Sequence, residues 1–180
     1  MGNSPPNAIL GPAIACSFIL FGNAMTQSST TVPALLVDFP RPSCSCPALA
    51  SAARHLGRQW RICRAADRFV FRPINTLSVA GYVCASWIAR RRRDGELLAG
   101  GTGGTRWVVY ALAAACHVVG MVHAAVNMRW LEERILELED GVDAVLAEWY
   151  VRRWGVGNLL RVFMPLLAGS MALRARLRDC

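Results

Sequence analysis

Three features of this sequence predict an all-α integral membrane protein, a four-helix bundle with amphipathic helical segments in its connections. The first is the length of its uncharged runs. No charged residue occurs from Met1 to Val37, over the 17 residues from Pro73 to Ala89, or over the 22 from Trp107 to Met128, and about 20 apolar residues cross a bilayer as a helix. The second is composition. At 54% hydrophobic and 18% charged over 180 residues, with a mean hydropathy of +0.31, the chain is too apolar for an ordinary soluble domain. The third is where the charge lies. All 20 basic residues are Arg and most fall between the apolar runs, so the formal charge of +8 reads as membrane flanking and not as nucleic-acid binding.

Residues 1–180 are read as one domain with spans over about 8–25, 69–89, 107–128 and 154–173. The first span has Pro12 near its start and no basic residue before it, so it reads as a retained helix and not a signal peptide. It exits through Thr26-Gln27-Ser28-Ser29-Thr30-Thr31 to Pro33. A connection of some forty residues follows, opening on the turn Pro40-Arg41-Pro42-Ser43. Between Leu49 and Phe69 apolar and Arg residues then alternate at helical spacing, which predicts an interfacial amphipathic helix with Trp60 at headgroup depth.

The second span stops at Arg90-Arg91-Arg92-Arg93, before a Gly-rich hairpin at Gly100-Gly101-Thr102-Gly103-Gly104 that has no phosphate-loop pattern. The third is expected to continue as a helix beyond the membrane to about Gly141, and the fourth closes on Arg174, Arg176 and Arg178. Alternation of sides places the 27–68 and 129–153 connections on one face. Their net charges are +4 and −3, so they are expected to dock over one mouth of the bundle. Counting Arg gives 8 on the terminal face and 10 on the other, which leaves orientation undecided apart from a lean toward cytoplasmic termini from Arg90–Arg93.

The seven cysteines are scattered and odd in number, which implies no disulfide framework, and Cys44 and Cys46 lack the spacing of a zinc site. Cys180 is not a prenylation box.

Polar side chains inside spans point to function, because lipid forbids them unless they face the bundle interior. Asn23, Thr26, Gln27 and Thr30 share one helical face, as do Arg72, Asn75, Ser78 and Tyr82. His123 and Asn127 are i, i+4; Asn158 and Arg161 are i, i+3; His117 points elsewhere. His123, Asn127, Asn158, Arg161, Arg72 and Asn75 all lie toward the same mouth, which predicts a half-buried polar pocket with apolar walls. A histidine base beside cationic and amide donors suits proton abstraction next to a carbonyl. Interhelical hydrogen bonding alone is the bland alternative.

The run Asn23-Ala24-Met25-Thr26-Gln27-Ser28-Ser29-Thr30-Thr31-Val32-Pro33-Ala34-Leu35-Leu36, then Arg58-Gln59-Trp60, Val126-Asn127, and above all Trp154-Gly155-Val156-Gly157-Asn158-Leu159-Leu160-Arg161-Val162-Phe163-Met164-Pro165 resemble the DUF1772 family of four-helix membrane proteins, which includes the fungal anthrone oxygenases. The resemblance implies oxidation of a polyketide anthrone to an anthraquinone by molecular oxygen, without a cofactor, in secondary-metabolite biosynthesis. It also implies a multi-pass membrane location, an endomembrane in a eukaryote, with lipid and a small aromatic polyketide as partners.

On that chemistry His123 is expected to be the base, Arg161 with Asn158 to hold the oxyanion, and Asn127 to orient substrate or oxygen. Arg72, Asn75 and Tyr82 complete the expected substrate surface, and no metal ligand set is seen. Family members often carry Pro and Thr before the motif Asn, where this chain has Gly120 to Val126, so His123 is an assignment from chemistry. A non-catalytic scaffold binding lipid or a partner remains the other reading, and it predicts paired polar stripes with no cavity.

Overall fold

The computed structural model describes residues 5–40, 47–98, 104 and 106–178, and among them every regular element is helical. The described residues form four long helices. Helix α1 (5–36) comprises Pro5–Thr26, a π-helical turn Gln27–Thr31 and Val32–Leu36. Helix α2 (47–98) joins Pro47–Ala66 to Arg72–Leu98 through a second π-turn, Asp67–Phe71. Helix α3 (Arg106–Asp140) has a third π-turn at Ala124–Met128 and ends in a 3-10 turn before Gly141 at φ 83°. Helix α4 (Ala144–Leu177) starts with a 3-10 turn and passes through Pro165.

Two expected breaks are therefore absent. The Thr- and Ser-rich exit of the first span is helical, and Thr26 and Ser29 satisfy their hydroxyls within it on the Gly22 and Met25 carbonyls. The amphipathic segment and the second span are likewise one helix, and the fourth helix begins well before Trp154. The Gly100–Gly103 hairpin, Cys44, Cys46, the Arg41–Ser43 turn and Cys180 lie outside the described residues.

The helices pack in a ring, each against two neighbours, α1 on α2 and α4, α3 on α2 and α4. Ala8–Leu36, Arg106–Asp140 and Ala144–Leu177 are long and apolar enough to cross a membrane. Helix α2 is not among them, because Asn75, Thr76, Ser78 and Tyr82 dilute its apolar stretch.

Two apolar cores stand one above the other. The lower, between the membrane helices, is built mostly from small residues such as Ala13, Ala85, Ala113 and Ala168, with Tyr82 and Tyr110. The upper core forms a cap from Leu56, Trp60, Leu131, Ile135, Leu138, Val151 and Trp154. Trp60 is thus only 3% exposed and meets Trp154 edge to face at 4.6 Å, not at a lipid headgroup. The amphipathic stripe of Leu49, Ala53, Leu56, Gly57 and Trp60 buries against protein instead of lipid.

The oppositely charged connections do dock. Arg58 and Arg61 pair with Glu139, and Arg64 Nε lies 3.6 Å from Glu132. Gly57 permits this approach, since a Cβ there would sit 2.6 Å from the Glu139 backbone nitrogen.

Candidate active site

Between the two cores lies a polar layer. A π-turn inserts one extra residue and re-aims the side chains around it, and such turns recur at functional sites. Three helices carry one here, and a single stretch of α4 bonds to all three levels. The Asn158 amide donates to Ala24 O at 3.1 Å and Ser28 Oγ at 2.9 Å, beside the first π-turn. Arg161 Nη2 donates to Asp67 Oδ1 at 2.5 Å in the second. His123 Nε2 donates to Gly157 O at 3.0 Å at the start of the third.

A cavity of ≈ 1050 Å³ opens in this layer, large enough for a fused aromatic ligand. Its floor is Leu20, His117 and Pro165, and its walls carry Asp67, Arg72, Asn75, Glu132 and Arg161. Asp67 is the electrostatic hub. Its side chain is 11% exposed and accepts from Arg161, 17% exposed, and from Arg72 Nε at 3.4 Å. One Arg161 nitrogen is committed to the carboxylate, and the guanidinium has further donors.

His117, 1% exposed, is the buried histidine that lines the cavity. Its Nδ1 lies 2.6 Å from Asn75 Oδ1, and its Nε2 lies 2.9 Å from Ser17 Oγ. Behind it, Ser17 Oγ donates to Ala13 O at 3.0 Å and lies 2.8 Å from the Tyr82 hydroxyl, while the Tyr82 ring stacks on the imidazole at 5.7 Å. With the Ser17 proton on Ala13 O, His117 can donate from both nitrogens. If that hydroxyl turns toward Nε2, a neutral ring is satisfied instead. The network therefore accommodates either protonation state without an unpaired atom.

A second, much smaller cavity of ≈ 20 Å³ adjoins Arg161 and Asp67. Gln27 Oε1, Trp60 Nε1 and Trp154 Nε1 are buried without a protein partner, and all three residues line it. Cys63 lines it too, and burial pushes its thiol up, away from the reactive thiolate.

Of the side chains singled out in the sequence, Asn23, Arg72, Asn75 and Arg161 meet at the large cavity. Tyr82 is fully buried one layer behind, against His117. His123, Asn127 and Asn158 are not among the lining residues. Asn127 is exposed and donates to His123 Nδ1 at 3.1 Å, so both imidazole nitrogens of His123 are engaged. Asn158 is fully buried and ties α4 to α1.

The side chains that periodicity missed are His117, Asp67, Glu132 and Ser17. Asp67 is the sole acid between residues 39 and 93, a signal open to sequence reading. His117, Ser17 and Tyr82 sit at matching depth in three apolar runs, which becomes visible only when the helices are aligned from their ends.

Fold and site together define a helical membrane protein that holds a titratable, arginine-lined cavity between two apolar cores. The chain belongs to the anthrone oxygenase family, whose model matches residues 60–171, more than half its length and all of α3. Neither the curated proteins nor the solved structures contain a match.

Proposed function

We propose that the protein is a multi-pass membrane oxygenase that converts a polyketide anthrone to the anthraquinone with molecular oxygen, without a protein-bound cofactor. The observation that carries this reading is the ≈ 1050 Å³ cavity where His117, Arg72 and Arg161 converge in a chain of the anthrone oxygenase family. The anthrone methylene is acidified by the ring carbonyl, and its anion is delocalised onto that oxygen. With Asn75 Oδ1 displaced from Nδ1 by the substrate and Nε2–H donating to Ser17, His117 takes the methylene proton on the vacated Nδ1.

Arg161 and Arg72 stabilise the oxyanion, since guanidinium stays charged throughout. The carbanion passes its electrons to oxygen and forms a C–O bond, giving a hydroperoxide that takes a proton from His117. Loss of the second methylene proton with cleavage of the O–O bond then forms the new carbonyl and releases water. One oxygen atom enters the quinone and the other leaves as water, so no further reductant is consumed.

The scaffold reading draws on the mutual pairing of His123, Asn127 and Gly157 and of Asn158 with Ser28. One experiment separates the two. Membranes containing the protein receive emodin anthrone under oxygen, alongside Arg161→Ala and His117→Ala variants checked for folding by thermal melting. Quinone formation above the spontaneous rate, lost in both variants, is expected. Wild-type rates equal to those of empty membranes remove the catalytic reading.

A further inference from the structure

The cavity's lining residues divide sharply by helix. Those from α1 and α4 are buried or half-buried, whereas every exposed one belongs to α2 or α3, among them Phe69, Thr76, Met121 and Ala125. The opening is therefore a slit between α2 and α3. Below it the two helices touch through the Ser86 hydroxyl, which donates to Trp107 O at 2.8 Å, and above it through Gly57 against Glu139.

The slit's depth in the bilayer follows from two aromatic markers. Arg90 lies over Trp107 and Arg91 over Trp87 at one end of the bundle, while exposed Trp130 and Trp149 sit 6.2 Å apart at the other. Trp concentrates at membrane–water interfaces. At about 1.5 Å per residue, Met121 and Ala125 stand about 21 and 27 Å along α3 from Trp107, and Arg129 about 33 Å. A hydrocarbon core of about 30 Å thus contains Met121 and Ala125 and ends just short of Arg129. On α2, the rim passes in the same sense from Thr76 and Phe69 to Arg68, whose guanidinium lies 5.7 Å above the Phe69 ring.

We infer that this slit is a lateral portal through which an aromatic amphiphile with acidic oxygens enters the cavity from the lipid leaflet, rings passing Ala125 and Met121, oxygens drawn along Arg68 and Arg129. The ligand class rests on the oxygenase reading, whereas the route rests on the slit and its depth. An apolar fused ring concentrates in lipid, so a side entrance at this depth meets it where it is most abundant. The charged upper rim, with Arg61 and Asp140, faces water and offers such a ring no apolar path.

The test uses the full chain in lipid nanodiscs and emodin, a fluorescent hydroxyanthraquinone, so no turnover is needed. Stopped-flow mixing follows association for wild type, Ala125→Trp, Phe69→Ala and Asp140→Trp. Ala125 and Asp140 are exposed, so neither bulky replacement enters a core. Ala125→Trp is expected to slow association and dissociation together by at least tenfold, and Phe69→Ala to raise both. Asp140→Trp is expected to stay within twofold. Slowing by Asp140→Trp but not by Ala125→Trp means entry from water and overturns the portal, as does wild-type kinetics in all three variants. Absence of saturable emodin binding to wild type overturns the ligand class and this inference with it. Binding gated at Ala125 without anthrone turnover removes only the oxygenase reading.

Discussion

Replacing Arg161 by Met strikes the structure where cap and bundle meet, and its cost can be worked from the environment of Asp67. That carboxylate has two cationic partners of unequal worth. Arg72 is 57% exposed at 3.4 Å and contributes about 0–1 kcal/mol, as screened pairs do. Arg161 is 17% exposed at 2.5 Å and is the partner that offsets desolvation. Removing one member of a buried pair costs about 3–5 kcal/mol; with Arg72 still adjacent, the lower end applies. A loss of about 3 kcal/mol lowers the folding equilibrium by about two orders of magnitude.

Asp67→Leu alone is expected to destabilise as well, because Arg161 then stays half-buried without its anion. The double variant removes both charges and should recover about 2 kcal/mol of the summed losses. Reversible unfolding by SDS in mixed micelles measures all four proteins. If the double variant's loss equals the sum of the single losses within about 0.5 kcal/mol, the two side chains are not coupled and the hub assigned to Asp67 is wrong. The same protein separates structure from chemistry. Under the oxygenase reading it should be folded yet form quinone no faster than empty membranes.

His117→Gln, which can replace one hydrogen bond but cannot act as a base near neutral pH, should lower quinone formation by about 10²–10⁴-fold with a melting temperature close to wild type; a loss under threefold in a steady-state oxidation assay would place the base elsewhere. His123→Ala should cost about 1 kcal/mol, from its bonds to Gly157 O and Asn127, and leave turnover within about threefold, because the imidazole does not line the cavity. Gly57→Val sets a branched side chain against the Glu139 backbone and should destabilise the cap by about 1–3 kcal/mol, read as faster tryptic cleavage at Arg58 and Arg61. Unchanged cleavage would mean that α2 does not need that close approach.

Much of this architecture was legible in the chain. The uncharged runs Met1–Val37 and Trp107–Met128 located two of the three helices apolar enough to cross a membrane, because a bilayer penalises charge residue by residue, whereas the run Pro73–Ala89 falls on α2, which is not one of them. The docking of the 27–68 and 129–153 connections followed from their opposite net charges, which the pairs of Arg58 and Arg61 with Glu139 and of Arg64 with Glu132 make specific. Arg72 and Asn75 line the same cavity, as two residues sharing one helical face at i, i+3 can. Periodicity failed at the π-turns. Asn23 and Gln27, one face by helical spacing, line different cavities, Gln27 standing at the start of the first π-turn.

Fold class and the sign of the cap's charges are thus properties of the linear chain, since each depends on local composition. Which histidine faces the cavity is not. His117 and His123 sit on one helix, both ionisable and both beside apolar residues, and nothing local separates them. The difference comes from α1 and α2, which bring Ser17, Tyr82 and Asn75 around His117, and from α4, which brings a backbone carbonyl to His123. Contacts between residues far apart in sequence form only when the helices pack, so the placement of His117 in the cavity, the charge hub at Asp67 and the slit between α2 and α3 were decided by tertiary structure alone.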